Sequence, residues 1–168
     1  MRPERAKKRR TKDQVARWRR FTGEHGPFCY MLTTFYNGFC VDPYERLKKQ
    51  QGKVVGGAET VARQRRRGAN VQFRFLIGGF PDKRNAKQFE WKQRYLRVKR
   101  VRSPSQKLQW LKDLSTKGAD FRWTRTAKSL GQLGRPVTIW SFDPDEELPA
   151  SSALVVFRRA ESLEALAG

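Results

Sequence analysis

A chain of 168 residues is long enough for one compact domain with appendages and too short for two full cores. Its 37 Lys and Arg against 16 Asp and Glu give a formal charge of +21, a field that draws in polyanions, so nucleic acid is the expected partner. No apolar run approaches a membrane span, the basic N-terminus lacks the apolar stretch of a secretory signal, and Cys29, Cys40 and the single histidine His25 cannot assemble a disulfide framework or a Cys/His zinc site. A soluble, intracellular protein is expected, with the two thiols buried on strands. Composition leaves open whether such a protein coats nucleic acid or cuts it.

The charge is uneven. Residues 1–20 hold ten basic and two acidic residues, whereas residues 143–168 hold two basic and six acidic ones. Residues 1–25 are read as a basic, mobile arm in which Val15 and Trp18 hint at a short helix, and "KKRR" has the composition of a nuclear localisation signal. Gly26-Pro27 then breaks the chain before "FCYML", and Thr33-Thr34 separates this run from "FYNGFCV"; both are rich in β-favouring residues, which predicts a tight hairpin. Asp42 and Pro43 suit the cap and first turn of a helix that continues through "YERLKKQQ" to Gly52. Tyr44 and Leu47 mark its buried side, and Arg46 and Gln50, four apart, share another face.

Glycines at 52, 56, 57 and 68 with basic residues at 53, 63, 65, 66 and 67 read as a flexible, phosphate-seeking connection. "VQFRFLIGGF" suggests a third strand. Pro81-Asp82 opens a helix expected from about Lys83 to Lys99, with Ala86, Phe89 and Leu96 as its core stripe and Glu90 on or beside that stripe. Beyond it, "QKLQWLKDL" has a helical pattern, "VTIWSF" reads as a strand or extended segment, and "ALVVFRRAESLEALAG" as a strand followed by a helix.

Single residues are ambiguous. A carboxylate near the core needs a cation or hydrogen bonds, so Glu90 is either an ordinary helix glutamate paired with lysine or arginine, or a metal ligand. Tyr30 and Tyr36 suit packing or catalysis, and Arg46 on a basic helix is most simply a phosphate contact.

The order aromatic strand, short hairpin, Tyr-x-Gly, arginine helix, glycine-rich loop, strand, "GFP" and a helix carrying "FEW" resembles the GIY-YIG nuclease superfamily, in particular the catalytic subunit of the Slx-type structure-specific endonuclease. "FCY" at 28–30 stands for the first signature and "YNG" at 36–38 for the second. Arg46 occupies the helix arginine position, and "GGFPDKRNAKQFEW", Gly78 to Trp91, is the most specific stretch. The likeness runs from about Phe28 to Pro144.

The resemblance implies an α+β fold: a small domain over 26–100 with a three-stranded antiparallel sheet flanked by helices, and residues 101–168 as a helical extension packing on it and ending in an acidic tail. It implies a DNA repair and recombination endonuclease, metal-dependent and structure-specific, hydrolysing phosphodiesters in branched or flap DNA. Glu90 would hold one magnesium or manganese ion and no zinc would be needed. Arg46 would clamp the phosphate, and Tyr36 or Tyr30 would act on the water, a nearby arginine and metal lowering the phenol's pKa. A sharp turn at Gly38 would bring Tyr36 and Arg46 to one surface. Lys48, Lys49, Lys53, Arg63, Arg65, Arg66 and Arg67, with the arm, would hold duplex phosphates.

The Slx-type subunit also meets a scaffold protein through a zinc-binding C-terminal module, for which this sequence lacks the cysteines. A nuclear location, or one on a viral or chromosomal DNA complex, is expected. The Tyr30-to-Tyr36 spacing is shorter than usual, Asn37 replaces an Ile or Val, and Gln50 stands where many members of the branch have histidine. These departures favour the alternative: a weakly active or inactive GIY-YIG-fold protein that only binds or packages nucleic acid.

Overall fold

The computed structural model describes residues 9–95 and 103–168. Five strands, β1 (Phe28–Leu32), β2 (Asn37–Cys40), β3 (Phe73–Gly78), β4 (Val137–Ser141) and β5 (Val155–Arg159), form one sheet in the order β2-β1-β3-β4-β5. The first three pairings are antiparallel and β4 with β5 is parallel. The sheet is therefore five-stranded and mixed, not three-stranded and antiparallel, and the extension supplies two of its strands. The fold class remains α+β.

β1 and β4 are buried along their whole length, because helices cover both faces of the sheet. Strands in that position read as continuous apolar runs without an alternating pattern. Alternate residues still separate. Cys29, Met31, Phe75, Ile77 and Ile139 join one core with Ala86 and Phe89 of α4 (Lys83–Arg94) and Leu111 of α5 (Pro104–Asp113). Phe28, Tyr30, Leu32, Leu76 and Trp140 join the other, beneath α1 (Lys12–His25), α2 (Pro43–Gln50), α3 (Glu59–Arg66) and the short α6 (Leu163–Leu166). Both cysteines are free and buried. No helix among the described residues is long and apolar enough to cross a membrane.

Where the sequence suggests a mobile arm, residues 12–25 are a docked helix. Thr11 caps it: its hydroxyl accepts from the Gln14 N–H, and the Gln14 side chain accepts from the Thr11 N–H, the reciprocal pattern of a capping box. Trp18 and Phe21 bury 5.4 Å apart, and the Trp18 indole N–H donates to Asp42 at 3.0 Å. Two large aromatic rings are enough to anchor the helix while Arg17, Arg19 and Arg20 stay exposed. Of "KKRR", Lys7 and Lys8 lie outside the described residues.

The connection after Gly52 is likewise partly ordered, as α3 with Val61 in the core. Helix α4 ends at Arg94, short of the expected Lys99; Leu96 lies outside the described residues. The acidic tail also contributes an internal contact. The Glu146 carboxylate is 6% exposed and meets Arg74 of β3 at 2.6 Å and Lys112 of α5 at 2.8 Å. Burial pushes this carboxyl up, but the two cations outweigh burial and hold it below the usual carboxylate range.

Candidate active site

β2 is an edge strand, with α2 on one side of it and α4 on the other, and the candidate residues gather around that edge. Tyr30 on β1 pairs with Gly38 on β2. A Cβ at position 38 would run into the Tyr30 ring and hydroxyl, so glycine is what lets the phenol lie across the edge strand towards α2. This corrects the sequence reading, in which Gly38 makes a sharp turn. The turn itself is Thr33–Tyr36, where Phe35 takes a left-handed backbone (φ 63°) and the Leu32 N–H donates to the Tyr36 carbonyl.

Across Gly38 the Tyr30 hydroxyl accepts from Arg46 Nε at 2.9 Å and from Gln50 Nε2 at 2.8 Å. Residues four apart on α2 thus close on one oxygen. Gln50 is fully buried, and its side-chain oxygen accepts from the Ala58 N–H at 3.0 Å. Arg46 Nη1 donates to the Gly56 carbonyl at 3.2 Å. Position 50 therefore links the tyrosine to the glycine-rich loop, a positioning task for which an amide with both a donor and an acceptor is well suited.

Burial pulls the Arg46 guanidinium down, yet its bond to Tyr30 and the nearby phenols of Tyr30 and Tyr36 leave it above its ordinary value. Burial pushes the Tyr30 phenol up, against the pull of Arg46 and Gln50, so the arginine alone does not bring it below its ordinary value. Gly38→Ala is expected to cost about 1–3 kcal/mol through overpacking against Tyr30, read as a lower urea midpoint. An unchanged midpoint would mean that the phenol can leave Arg46 without cost.

On the α4 side, Arg94 collects three partners. It meets Glu90 at 2.8 Å, the Asn37 carbonyl at 3.1 Å and, at a long 3.4 Å, the Tyr36 hydroxyl. Burial pushes the Glu90 carboxyl above the usual carboxylate range, opposed in turn by Arg94, Arg46 and Lys87. Arg46, on the far side of β2, thus acts on the Glu90 carboxyl, and Arg94 touches both Glu90 and Tyr36. The Asn37 amide is buried, and both of its polar atoms, like those of the buried Gln93 amide on α4, lack a partner among the described residues. Unpaired buried amides are uncommon and mark a place where polarity was kept at a cost.

Among the described residues no group of three or more His, Cys, Asp or Glu gathers. The oxygen donors at the site are the Glu90 carboxylate and tyrosine hydroxyls. That set is sparse for a closed cage, but fits a hard cation held by one carboxylate with waters and a substrate phosphate.

Of the expected phosphate contacts, Lys53, Arg63, Arg66 and Arg67 are exposed, with Arg66 paired to Glu59 at 2.9 Å. Lys48 and Lys49 are half-buried, Lys48 meeting Glu45 at 3.1 Å. Arg65 donates to the Gln50 carbonyl at 2.8 Å and holds α3 against the end of α2. Sequence reasoning missed Arg94, although its place four residues after Glu90 is the spacing of a helical ion pair.

No family model matches the chain. The chain is similar to a structure-specific endonuclease subunit SLX1 homolog of Leishmania major, 42% identical over 70 residues, covering 37% of this chain and 10% of the relative. To a homolog of the same subunit from Trypanosoma cruzi it is 39% identical over 70 residues, covering 37% and 13%. To the structure-specific endonuclease subunit slx1 of Schizosaccharomyces pombe it is 32% identical over 102 residues, covering 56% and 31%. The chain spans less than a third of the length of these relatives.

Proposed function

We propose that this chain is a metal-dependent, structure-specific DNA endonuclease of the Slx type on a GIY-YIG scaffold. The observation that carries the reading is that Arg94 touches both Glu90 and the Tyr36 hydroxyl on one side of β2, while Tyr30 and the Gly56 carbonyl hold Arg46 on the other. The partial likeness to SLX1 subunits supports the same class. A nuclear location and a scaffold protein partner belong to this proposal.

Arg46 faces the phosphate with a planar, permanently charged fork. Tyr30 and the Gly56 carbonyl take one Nε and one Nη1 donor, and Nη2 has no partner among the described residues. Tyr30, deeply buried with its phenol pushed up, stays protonated and acts as a positioning residue. Tyr36, half-buried in the turn just before the edge strand, is then the phenol that orients the water or accepts its proton. Glu90 would hold magnesium or manganese, which when bound supplies charge neutralisation at the phosphate and leaving oxygen. The exposed cations of α3 and the loop bind the DNA backbone and give little base specificity.

The test is cleavage of labelled flap, branched and plain duplex DNA in magnesium and in manganese. Turnover should favour the branched forms, and Arg46→Lys should lower the rate by about a hundredfold while reducing affinity much less. No turnover on any substrate would leave the nucleic-acid-binding protein as the reading.

A further inference from the structure

The face of α4 that turns away from the core is basic and carries one large exposed ring. Trp91 is 52% exposed. The other tryptophans are buried (Trp18, Trp123 and Trp140) or half-buried against the core (Trp110). The Trp91 ring lies 5.3 Å from that of Tyr95 at 33°, so the two make a short tilted stack. Beside it runs a shallow groove of about 600 Å³ lined by Lys83, Arg84, Lys87, Trp91, Thr124 and Thr126. Its charged lining is wholly cationic.

We propose that this groove is a binding site for unpaired nucleic acid, in which a single strand lays its phosphates along Lys83, Arg84 and Lys87 and stacks a base on Trp91. This deepens the proposed function and rests on its nucleic-acid part. The exposed ring, with cations beside it, offers a face on which a base can stack. A base covers it, and the cations beside it select a ligand that carries a phosphate with each base. Duplex is a poor occupant, because the faces of its bases are already stacked on one another. Unstacked bases are found in a flap or at a branch.

The groove also connects to the candidate site. Lys87 lines it, lies 5.4 Å from the Phe39 ring on β2 and acts on the Glu90 carboxyl. Glu90 is the chain neighbour of Trp91. Lys87 therefore stands between the groove and the edge of β2, so a strand lying in the groove approaches that edge along Lys87.

The test uses the full chain in metal-free buffer with a short oligothymidylate, so that no cleavage is required. Tryptophan fluorescence of the parent should be quenched on binding. Trp91→Phe keeps a stacking ring and should bind within a factor of two or so of the parent while losing most of the quench. Trp91→Ala should bind about tenfold more weakly, the effect of one lost stacked base, with an unchanged melting temperature and with plain duplex affinity little altered. Equal quenching in parent and Trp91→Phe, or undiminished strand affinity in Trp91→Ala, would overturn the site and leave Trp91 as a seat for a protein partner. A parent that binds the strand through Trp91 but cleaves no substrate would uphold the site and sink the endonuclease reading. A parent that cleaves flaps while Trp91→Ala binds single strands normally would do the reverse.

Discussion

Glu90→Gln protein is expected to bind branched DNA in metal-free buffer at least as well as the parent and to cleave it about a thousandfold more slowly. The amide keeps the shape of the side chain and removes the charge that a divalent cation requires. In this structure the carboxylate has one close cation, Arg94 at 2.8 Å, and burial prevails, so the carboxyl sits above its usual range. A raised carboxyl adds stability only below its unfolded pKa, and that contribution is lost as the pH rises through the folded value. At neutral pH the Glu90 charge is therefore a net cost to the fold. The melting temperature of Glu90→Gln at pH 7 should stay level or rise, which differential scanning calorimetry measures. Loss of cleavage without loss of stability is the signature of a carboxylate kept for chemistry. If Glu90 merely balanced its helix partners, the variant would lose a little stability and keep its turnover; that result would falsify the metal assignment.

The N-terminal half of the fold was legible because its signals are local. Gly26-Pro27, the β-favouring runs on either side of Thr33-Thr34, and the Asp42-Pro43 cap each act within a few residues. β1, β2 and α2 lie where those signals point. The pairing of Arg46 and Gln50 on one helical face was equally readable, and both side chains reach Tyr30. Their shared acceptor was not readable, because it depends on the register that sets Tyr30 opposite Gly38 across the strands.

The sheet's far half was legible as extended segments over "VTIWSF" and "ALVVF", but not as part of the same sheet. β4 pairs with β3 across more than fifty intervening residues, and no local signal reports a pairing that distant. β5 lies parallel to β4 after a connection with no helix in residues 142–154, so nothing local marks the crossover. Nor does charge count reveal which charges are internal. Arg65, in the basic cluster, is spent on the Gln50 carbonyl, and the basic N-terminal segment is held down by two aromatic residues among its arginines.

Glu146→Gln is expected to have the opposite effect to Glu90→Gln, costing about 3 kcal/mol because it leaves two cations facing a neutral buried amide. For a chain of this size that is a drop of about 10 °C in melting temperature. Glu146 is as deeply placed as any charge among the described residues, yet Arg74 at 2.6 Å and Lys112 at 2.8 Å outweigh burial and depress its carboxyl. A depressed carboxyl contributes stability that is complete above its unfolded pKa, about 4.3, and is lost as the pH falls through the lower folded value. The parent should therefore lose stability on acidification below about pH 4.3, and Glu146→Gln should lack that part of the loss, which urea midpoints across the acid range can follow. Cleavage per folded molecule should be unchanged, since the triad joins β3, α5 and the segment before β5 rather than the edge of β2. Replacing the three residues together by Met and Leu should recover much of the lost stability, because the charges are then removed as a set. A melting temperature for Glu146→Gln equal to the parent's at pH 7 would show that the triad holds nothing, and that the C-terminal strands stay in the sheet through their ladder bonds and apolar residues.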